Sequence, residues 1–207
     1  MPSDLEIFLA QPAPVLLIAS VALVSVVGWI IPPLQRALVL SPHDVGRGHL
    51  HRLLTNGWLH ADLWHLAVNM LTLYFFAGKV TQVLGEARFV ALYVSAVVVA
   101  SLPTTVRHLS DRGYRSLGAS GAVAAVMFSA ILLHPKLQLT LLFVPVPVPA
   151  VVFALGYLAY SAYRSYAADS DVNHDAHFSG AVYGSLFTYA VEPARAERAI
   201  RSLIAFF

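Results

Sequence analysis

Long apolar runs, separated by short polar or proline-containing breaks, occupy most of the chain. A helix needs about 20 residues to cross the ~30 Å hydrocarbon core of a bilayer. On this pattern we predict six transmembrane helices, at residues 12–34, 60–78, 88–103, 117–133, 149–165 and 174–191. The second and sixth are short and contain polar residues, which suits helices inside a bundle or beside water. The predicted fold is an all-α polytopic membrane protein.

Prolines and segment length set several of these boundaries. Pro145, Pro147 and Pro149 interrupt the apolar stretch before the fifth span, so we expect its helix to start near Pro149. The third span is expected to end near Pro103. The segment from Arg36 to His60 is too long for a turn and too apolar for a disordered linker. We therefore expect it to fold against the membrane surface.

Composition supports a membrane protein of one domain, residues 1–207. The chain is 58% hydrophobic and 12% charged, with a mean hydropathy of +0.69, whereas about a quarter of residues are charged in soluble proteins. The net charge of +2 comes from scattered basic residues, which argues against nucleic-acid binding. With no cysteine there are no disulfides and no thiolate metal sites.

Charge does not fix the orientation in the membrane. Lys and Arg divide almost evenly between the two sides of the predicted topology, so their bias is uninformative. Asp4 and Glu6 precede the first apolar run, where a secretory signal peptide would carry basic residues. We therefore interpret the first run as a retained span.

Polar residues inside spans are costly and are candidates for function. They cluster at the starts of the second, fourth and sixth spans, as His60, His65 and Asn69, then Gly118, Ser120 and Gly121, then His174, His177, Gly180 and Gly184. These three spans run in the same direction, because one returning helix separates each pair. Their first turns therefore lie on one side of the membrane, at similar depth. This arrangement predicts a single site.

The residue types in this site predict acyl-transfer chemistry. Ser120 is a weak nucleophile unless a neighbouring base takes its proton, and His177 is the natural base because imidazole titrates near neutral pH. We expect a Ser-His dyad, since Asp175 precedes His177 by two residues and would face elsewhere. Gly118 flanks the serine.

Close helix packing and oxyanion donors complete the prediction. Small residues at Gly121, Gly180 and Gly184 would let the fourth and sixth helices approach closely. The backbone N–H of Ser120 at a helix start is one candidate oxyanion donor, and the side chains of His65 and Asn69, one turn apart, are others. His60 points away from that face of an ideal helix and is expected to be a supporting residue.

These motifs resemble the rhomboid family of intramembrane serine proteases. The matching pieces are His60-x4-His65-x3-Asn69, Gly118-Ala-Ser120-Gly121 and His177-x2-Gly180-x3-Gly184, together with Arg52-Leu-Leu-Thr55 and Gly85-x2-Arg88-Phe. The resemblance covers about residues 45 to 190. It implies a six-helix rhomboid-like bundle with a water-filled cavity, with Arg52 in the first loop and Glu86 in a polar network near the second turn.

The chain departs from this family pattern at two positions. The Trp-Arg pair often found in the first loop reads His51-Arg52 here. The aromatic residue that some members place four positions after the serine, stacked on the catalytic histidine, is Ala124.

The predicted function is intramembrane serine endopeptidase activity on transmembrane protein substrates in a lipid bilayer, without a cofactor or metal. We expect a multi-pass protein of a bacterial-type inner membrane, with no nucleic-acid partner; the oligomeric state and the substrate are not determined by the sequence. Two alternatives remain at this stage. One is a non-enzymatic binder of membrane proteins on the same fold, and the other is a metal or ion carrier using His60, His65, His174 and His177.

Overall fold

A computed structural model describes residues 4–141, 144–167 and 173–204. Most of these residues are helical. The elements in chain order are α1 (Asp4–Leu9), α2 (Pro12–Ile30), α3 (Pro32–Leu38), α4 (Pro42–Val45), α5 (Arg52–Thr55), a 3₁₀ turn (Asn56–Trp58), α6 (Leu63–Leu84), α7 (Glu86–Arg107), α8 (Ser120–Leu133), β1 (Gln138–Leu141), β2 (Val144–Pro149), α9 (Ala150–Ala167), α10 (His174–Val191) and α11 (Pro193–Ile204).

Helix α8 is the centre of the bundle. It is only 14 residues long and apolar all round, and nearly every residue from Gly121 to Leu133 is buried. Helices α6, α7 and α10 pack around it. A helix of 14 residues is about 21 Å long, shorter than the ~30 Å hydrocarbon core. The first residue of α8 can therefore lie below the membrane surface while the helix still reaches the opposite side.

The outer surface of the bundle is apolar, as contact with lipid requires. Large hydrophobic side chains are exposed along α2, α6, α7 and α10, including Leu16, Leu23, Ile30, Val68, Leu71, Phe75, Val90, Val106, Leu186 and Tyr189. Soluble proteins rarely expose apolar surface on this scale. Within the described residues, two helices are long and apolar enough to cross a membrane by themselves, Pro12–Ile30 and Glu86–Arg107. The predicted count of six spans is thus not confirmed and stays a prediction.

Several helices end at residues other than those predicted. In the first span, predicted at 12–34, α2 stops at Ile30 and a new helix starts at Pro32. In the second, predicted at 60–78, α6 begins at Leu63 and continues past Lys79 to Leu84. Glycine and side-chain capping set these ends: Asp62 accepts a hydrogen bond from the His65 N–H (2.8 Å), and Gly85 has a φ of +78°.

The remaining spans differ by smaller amounts. Helix α7 replaces the predicted 88–103 with Glu86–Arg107, because Pro103 lies within its last turns without ending it. A membrane helix tolerates the one hydrogen bond that proline removes. The helices in place of 117–133 and 149–165 are Ser120–Leu133 and Ala150–Ala167, whereas α10 has the predicted ends, 174 and 191.

The proline-rich stretch is not helical, and α9 starts at Ala150, as the prolines predicted; the hairpin there is the one feature that the all-α prediction did not include among the described residues. Val144–Pro149 is a strand that pairs antiparallel with Gln138–Leu141. The backbone N–H of Ala150 donates to Leu137 (2.9 Å), so alternate residues of this stretch face β1. The prolines occupy the other positions, where no inward donor is needed, and they leave the outer edge of β2 without N–H groups.

The segment before α6 is folded, in agreement with its length and composition. Arg52 anchors it: its guanidinium donates to the carbonyl oxygens of Arg36 (2.9 Å) and Val39 (2.7 Å) and lies 3.7 Å from Asp44. An antiparallel bridge between Leu40 and Ser116 ties this segment to the residues that lead into α8. By contrast Glu86, which the resemblance placed in a polar network, is exposed at the first residue of α7.

Candidate active site

The segment that leads into α8 is held in place by Gly118. Its φ of +134° is a conformation that residues with a side chain rarely adopt. A Cβ at this position would lie 2.8 Å from Cε1 and 3.0 Å from Nε2 of the His65 ring. The Gly118 N–H donates to the carbonyl oxygen of Asn56 (3.1 Å). The glycine thus lets the chain turn into α8 with the His65 imidazole directly against its backbone.

His60 supports the same helix start through a hydrogen bond to the residue before Ser120. It is completely buried, and its Nδ1 lies 3.0 Å from the Ser25 hydroxyl, which donates its own proton to the Trp58 carbonyl (2.9 Å). Nδ1 must then be the donor to Ser25, which leaves Nε2 as an acceptor. That atom accepts from the backbone N–H of Ala119 (3.4 Å), the residue before Ser120.

His65 and Asn69 occupy one face of the first turns of α6. The buried Asn69 amide donates to the His65 carbonyl (2.9 Å), one turn earlier. The His65 ring also meets the His60 ring edge to face, with centroids 4.9 Å apart. The four residues His60, His65, Asn69 and Gly118 therefore form one connected group around the start of α8.

The backbones of α8 and α10 touch each other. A Cβ on Gly180 would collide with the carbonyl oxygen of Gly121, and one on Gly184 would collide with that of Ala125. A Cβ on Gly121 would lie 3.0 Å from the carbonyl oxygen of Ala176. Only residues without a Cβ permit this approach, which is the small-residue packing of membrane helices. Because Ser120 precedes Gly121 and His177 follows Ala176, both lie one residue from the helix contact.

Two aromatic rings contact the His177 imidazole. Tyr157 of α9 is stacked on it, with ring centroids 6.1 Å apart and an interplanar angle of 25°. His174, one turn earlier on α10, meets it edge to face at 5.7 Å. Neither contact was predicted. The i, i+3 spacing of the two histidines was visible in the sequence, but no motif pointed to Tyr157 on a separate helix.

Asp175 is engaged away from His177. Its carboxylate lies 3.0 Å from Nη1 of Arg107 and accepts a hydrogen bond from the Ser165 hydroxyl. Within the described part of the chain, the Ser120 hydroxyl and the His177 ring make no hydrogen bond to each other. Catalytic hydrogen bonds are often long before substrate binds. No group of three or more potential ligand side chains that could hold a metal ion occurs among the described residues.

A small polar cavity lies between α7, α8, α10 and the first loop. Its volume is about 20 Å³, which is room for about one water molecule. Its polar lining comes from the side chains of Asn56, Ser101, Ser116, Ser120 and Asn173. Asn173 also caps α10 by accepting from the Ala176 N–H (3.0 Å) and accepts from Thr104 (2.7 Å). No motif in the sequence singled out Asn56 or Asn173 as part of the site, although an Asn directly before a helix is a capping signal.

The sequence model of the protein family described as "Rhomboid domain" matches residues 47–193, which is most of the chain. The chain belongs to the rhomboid family. Members of this family are generally intramembrane serine proteases, and this chain is accordingly an integral membrane protein.

Named relatives of this rhomboid chain come from plants, animals and yeast. It is 30% identical over 163 residues to "RHOMBOID-like protein 12, mitochondrial" of Arabidopsis thaliana, covering 72% of this chain and 48% of that one. It is 30% identical over 169 residues to "Presenilin-associated rhomboid-like protein, mitochondrial" of Mus musculus (79% and 45%). It is 31% identical over 147 residues to "Rhomboid protein 1, mitochondrial" of Saccharomyces cerevisiae (69% and 42%). The chain spans about half the length of these relatives.

Proposed function

We propose that this rhomboid chain is an intramembrane serine endopeptidase that hydrolyses peptide bonds in or near transmembrane segments. Ser120 is the nucleophile and His177 the general base. The observation that supports this most strongly is the direct backbone contact between α8 and α10 at Gly121 and Gly180, because it brings the two helix starts that carry Ser120 and His177 together.

The proposed reaction follows from these positions. His177 accepts the proton of the Ser120 hydroxyl while Oγ attacks the substrate carbonyl, and the imidazolium then gives that proton to the leaving amine. The Ser120 N–H belongs to the first residue of α8, and the first N–H groups of a helix have no carbonyl of the same helix to donate to. It faces the developing oxyanion together with His65 and Asn69. In the second step His177 takes a proton from water while the water oxygen attacks the acyl carbon, and it returns this proton to the Ser120 oxygen as the acyl–oxygen bond breaks and the acid product leaves.

The membrane setting is part of the same proposal. Six helices, the five of 18 or more residues and the short central α8, span the bilayer. The short α8 would leave Ser120 below the surface, where a transmembrane substrate is accessible from the lipid. The relatives are named as mitochondrial proteins, which favours a mitochondrial membrane over the bacterial-type inner membrane that we expected. We propose only that the chain acts within a lipid bilayer.

The test is cleavage of a transmembrane substrate by the purified protein, with parallel labelling by a fluorophosphonate probe. Ser120→Ala and His177→Ala are expected to abolish both. The matched control is Ser185→Ala, which removes a hydroxyl on α10 whose one hydrogen bond within the described residues goes to the Ala181 carbonyl (3.0 Å). Cleavage by Ser120→Ala at the parent rate would refute the proposal. Absence of both cleavage and labelling in the parent would instead favour the non-enzymatic binder.

A further inference from the structure

Helix α9 presents a row of aromatic side chains to the candidate active site. Phe153, Tyr157 and Tyr160 are spaced i, i+4 and i+7, so they lie on one face of the helix. Tyr157 stacks on His177, and the Tyr160 ring meets His174 edge to face at 5.4 Å. One face of α9 therefore contacts both histidines in the first turn of α10.

Tyr157 is itself packed from two other directions. Its ring centroid lies 6.0 Å from that of Phe153 and 5.8 Å from that of Phe128 on α8. Such tilted aromatic pairs stabilise a defined orientation of each ring. The position on α8 four residues after the nucleophile is the buried Ala124, which is too small to reach across. The ring that limits rotation of the His177 imidazole thus comes from α9.

The far end of α9 is fixed to the neighbouring helices. Arg107, at the end of α7, donates to the Ser165 carbonyl (2.8 Å) and lies 3.0 Å from the carboxylate of Asp175 on α10. Ser165 is two turns beyond Tyr157 and also bonds to Asp175. These contacts set the register of α9 against α10, so Tyr157 meets His177 and not a neighbouring turn.

From these contacts we propose that Tyr157 is a positioning residue for His177: together with His174, it holds the imidazole in the orientation that receives the Ser120 proton. This rests on the proposed function. A consequence is that the base is oriented only while α9 is seated on α10.

Three variants distinguish the effect of the Tyr157 ring from the effect of its hydroxyl and from that of a substitution elsewhere on α9. Tyr157→Leu removes the ring, Tyr157→Phe keeps it, and Tyr163→Leu is the control, since Tyr163 lies on the same helix but is largely exposed. We expect Tyr157→Leu to lower kcat by about 10- to 100-fold with KM within about twofold, because misplacement of a catalytic group by about 1 Å has effects of this size. Tyr157→Phe and Tyr163→Leu are expected to keep kcat within about threefold of the parent.

A spectroscopic readout tests the stacking independently of activity. In protein labelled at histidine, the His177 resonance is identified by its loss in His177→Ala. The ring current of Tyr157 should shift this resonance in the parent and in Tyr157→Phe, and the shift should disappear in Tyr157→Leu. If Ser120→Ala cleaved normally, the proposed function would fail, while this resonance would still report whether Tyr157 orients His177.

Several outcomes overturn the proposal. A kcat for Tyr157→Leu equal to that of Tyr163→Leu would do so, and so would an unmoved His177 resonance. A loss in Tyr157→Phe as large as in Tyr157→Leu would assign the effect to the hydroxyl and not to the ring. Thermal unfolding of each variant is measured in parallel. If Tyr157→Leu does not fold, Tyr157→Met replaces it, because its unbranched side chain fills the space without a ring.

Discussion

The substitution Gly180→Ala tests whether the α8–α10 contact brings the catalytic pair together. The added methyl group would collide with the Gly121 carbonyl oxygen, where an ordinary contact needs about 3.5 Å. The shortfall exceeds about 1 Å, and both colliding groups belong to helix backbones or are fixed to them. The two helices must therefore move apart, because neither side has a flexible end that could rotate away.

Two effects of this separation can be estimated. Overpacking in a closely packed interior costs about 1–3 kcal/mol of stability. A shift of about 1 Å between nucleophile and base can lower the rate by about 100-fold, even when the substitution that causes it removes no catalytic group. Gly156→Ala is the matched control, since a Cβ at Gly156 on α9 has no atom within 4 Å. There the same change should stabilise the helix by up to about 1 kcal/mol.

The assay compares thermal unfolding, followed by far-UV circular dichroism, with kcat for a transmembrane substrate. Gly180→Ala should unfold at a lower temperature than Gly156→Ala and lose most of its activity. If the two variants have the same unfolding midpoint and the same kcat, the tight contact at Gly180 does not exist in the protein, and the packing of α8 on α10 does not position the catalytic pair.

Two further predictions concern the surroundings of the site. Ser25→Ala should destabilise the protein by about 1–3 kcal/mol in thermal unfolding, because it leaves the buried His60 Nδ1–H without an acceptor; a midpoint equal to that of Ser185→Ala would contradict the chain from Ser25 through His60 to Ala119. A hydrogen bond with Ser41, and smaller contributions from His43 and Arg52, hold the pKa of Asp44 below its usual value. A lowered pKa means that the ionised carboxylate stabilises the first loop above pH ~4. This contribution, below about 1 kcal/mol for a pair near the surface, is lost as the pH falls through the lower folded pKa. Stability curves of the parent and Asp44→Asn should therefore converge in acid, and a constant difference between pH 3 and 7 would refute the assignment.

The sequence by itself predicted where most helices lie, and it singled out the polar residues that the structure groups at one end of the bundle. This succeeded because a bilayer imposes a long apolar run on each span and makes every polar residue within it costly. The direction of α6, α8 and α10 followed from counting the intervening helices. The glycines at 121, 180 and 184 could be assigned to helix packing because no other residue type permits such an approach.

The tertiary structure alone decided features that depend on partners distant in the chain. Helix ends near Pro103 and Lys79 were misjudged, because capping at Gly85 and His108 sets them and not the first proline or charge. The proline-rich stretch became a strand only because Gln138–Leu141 pairs with it. Likewise the stacking of Tyr157 on His177 joins helices that no local pattern relates. Side-chain contacts of this kind are set by how whole helices pack, and a sequence period records only which face of each helix is buried.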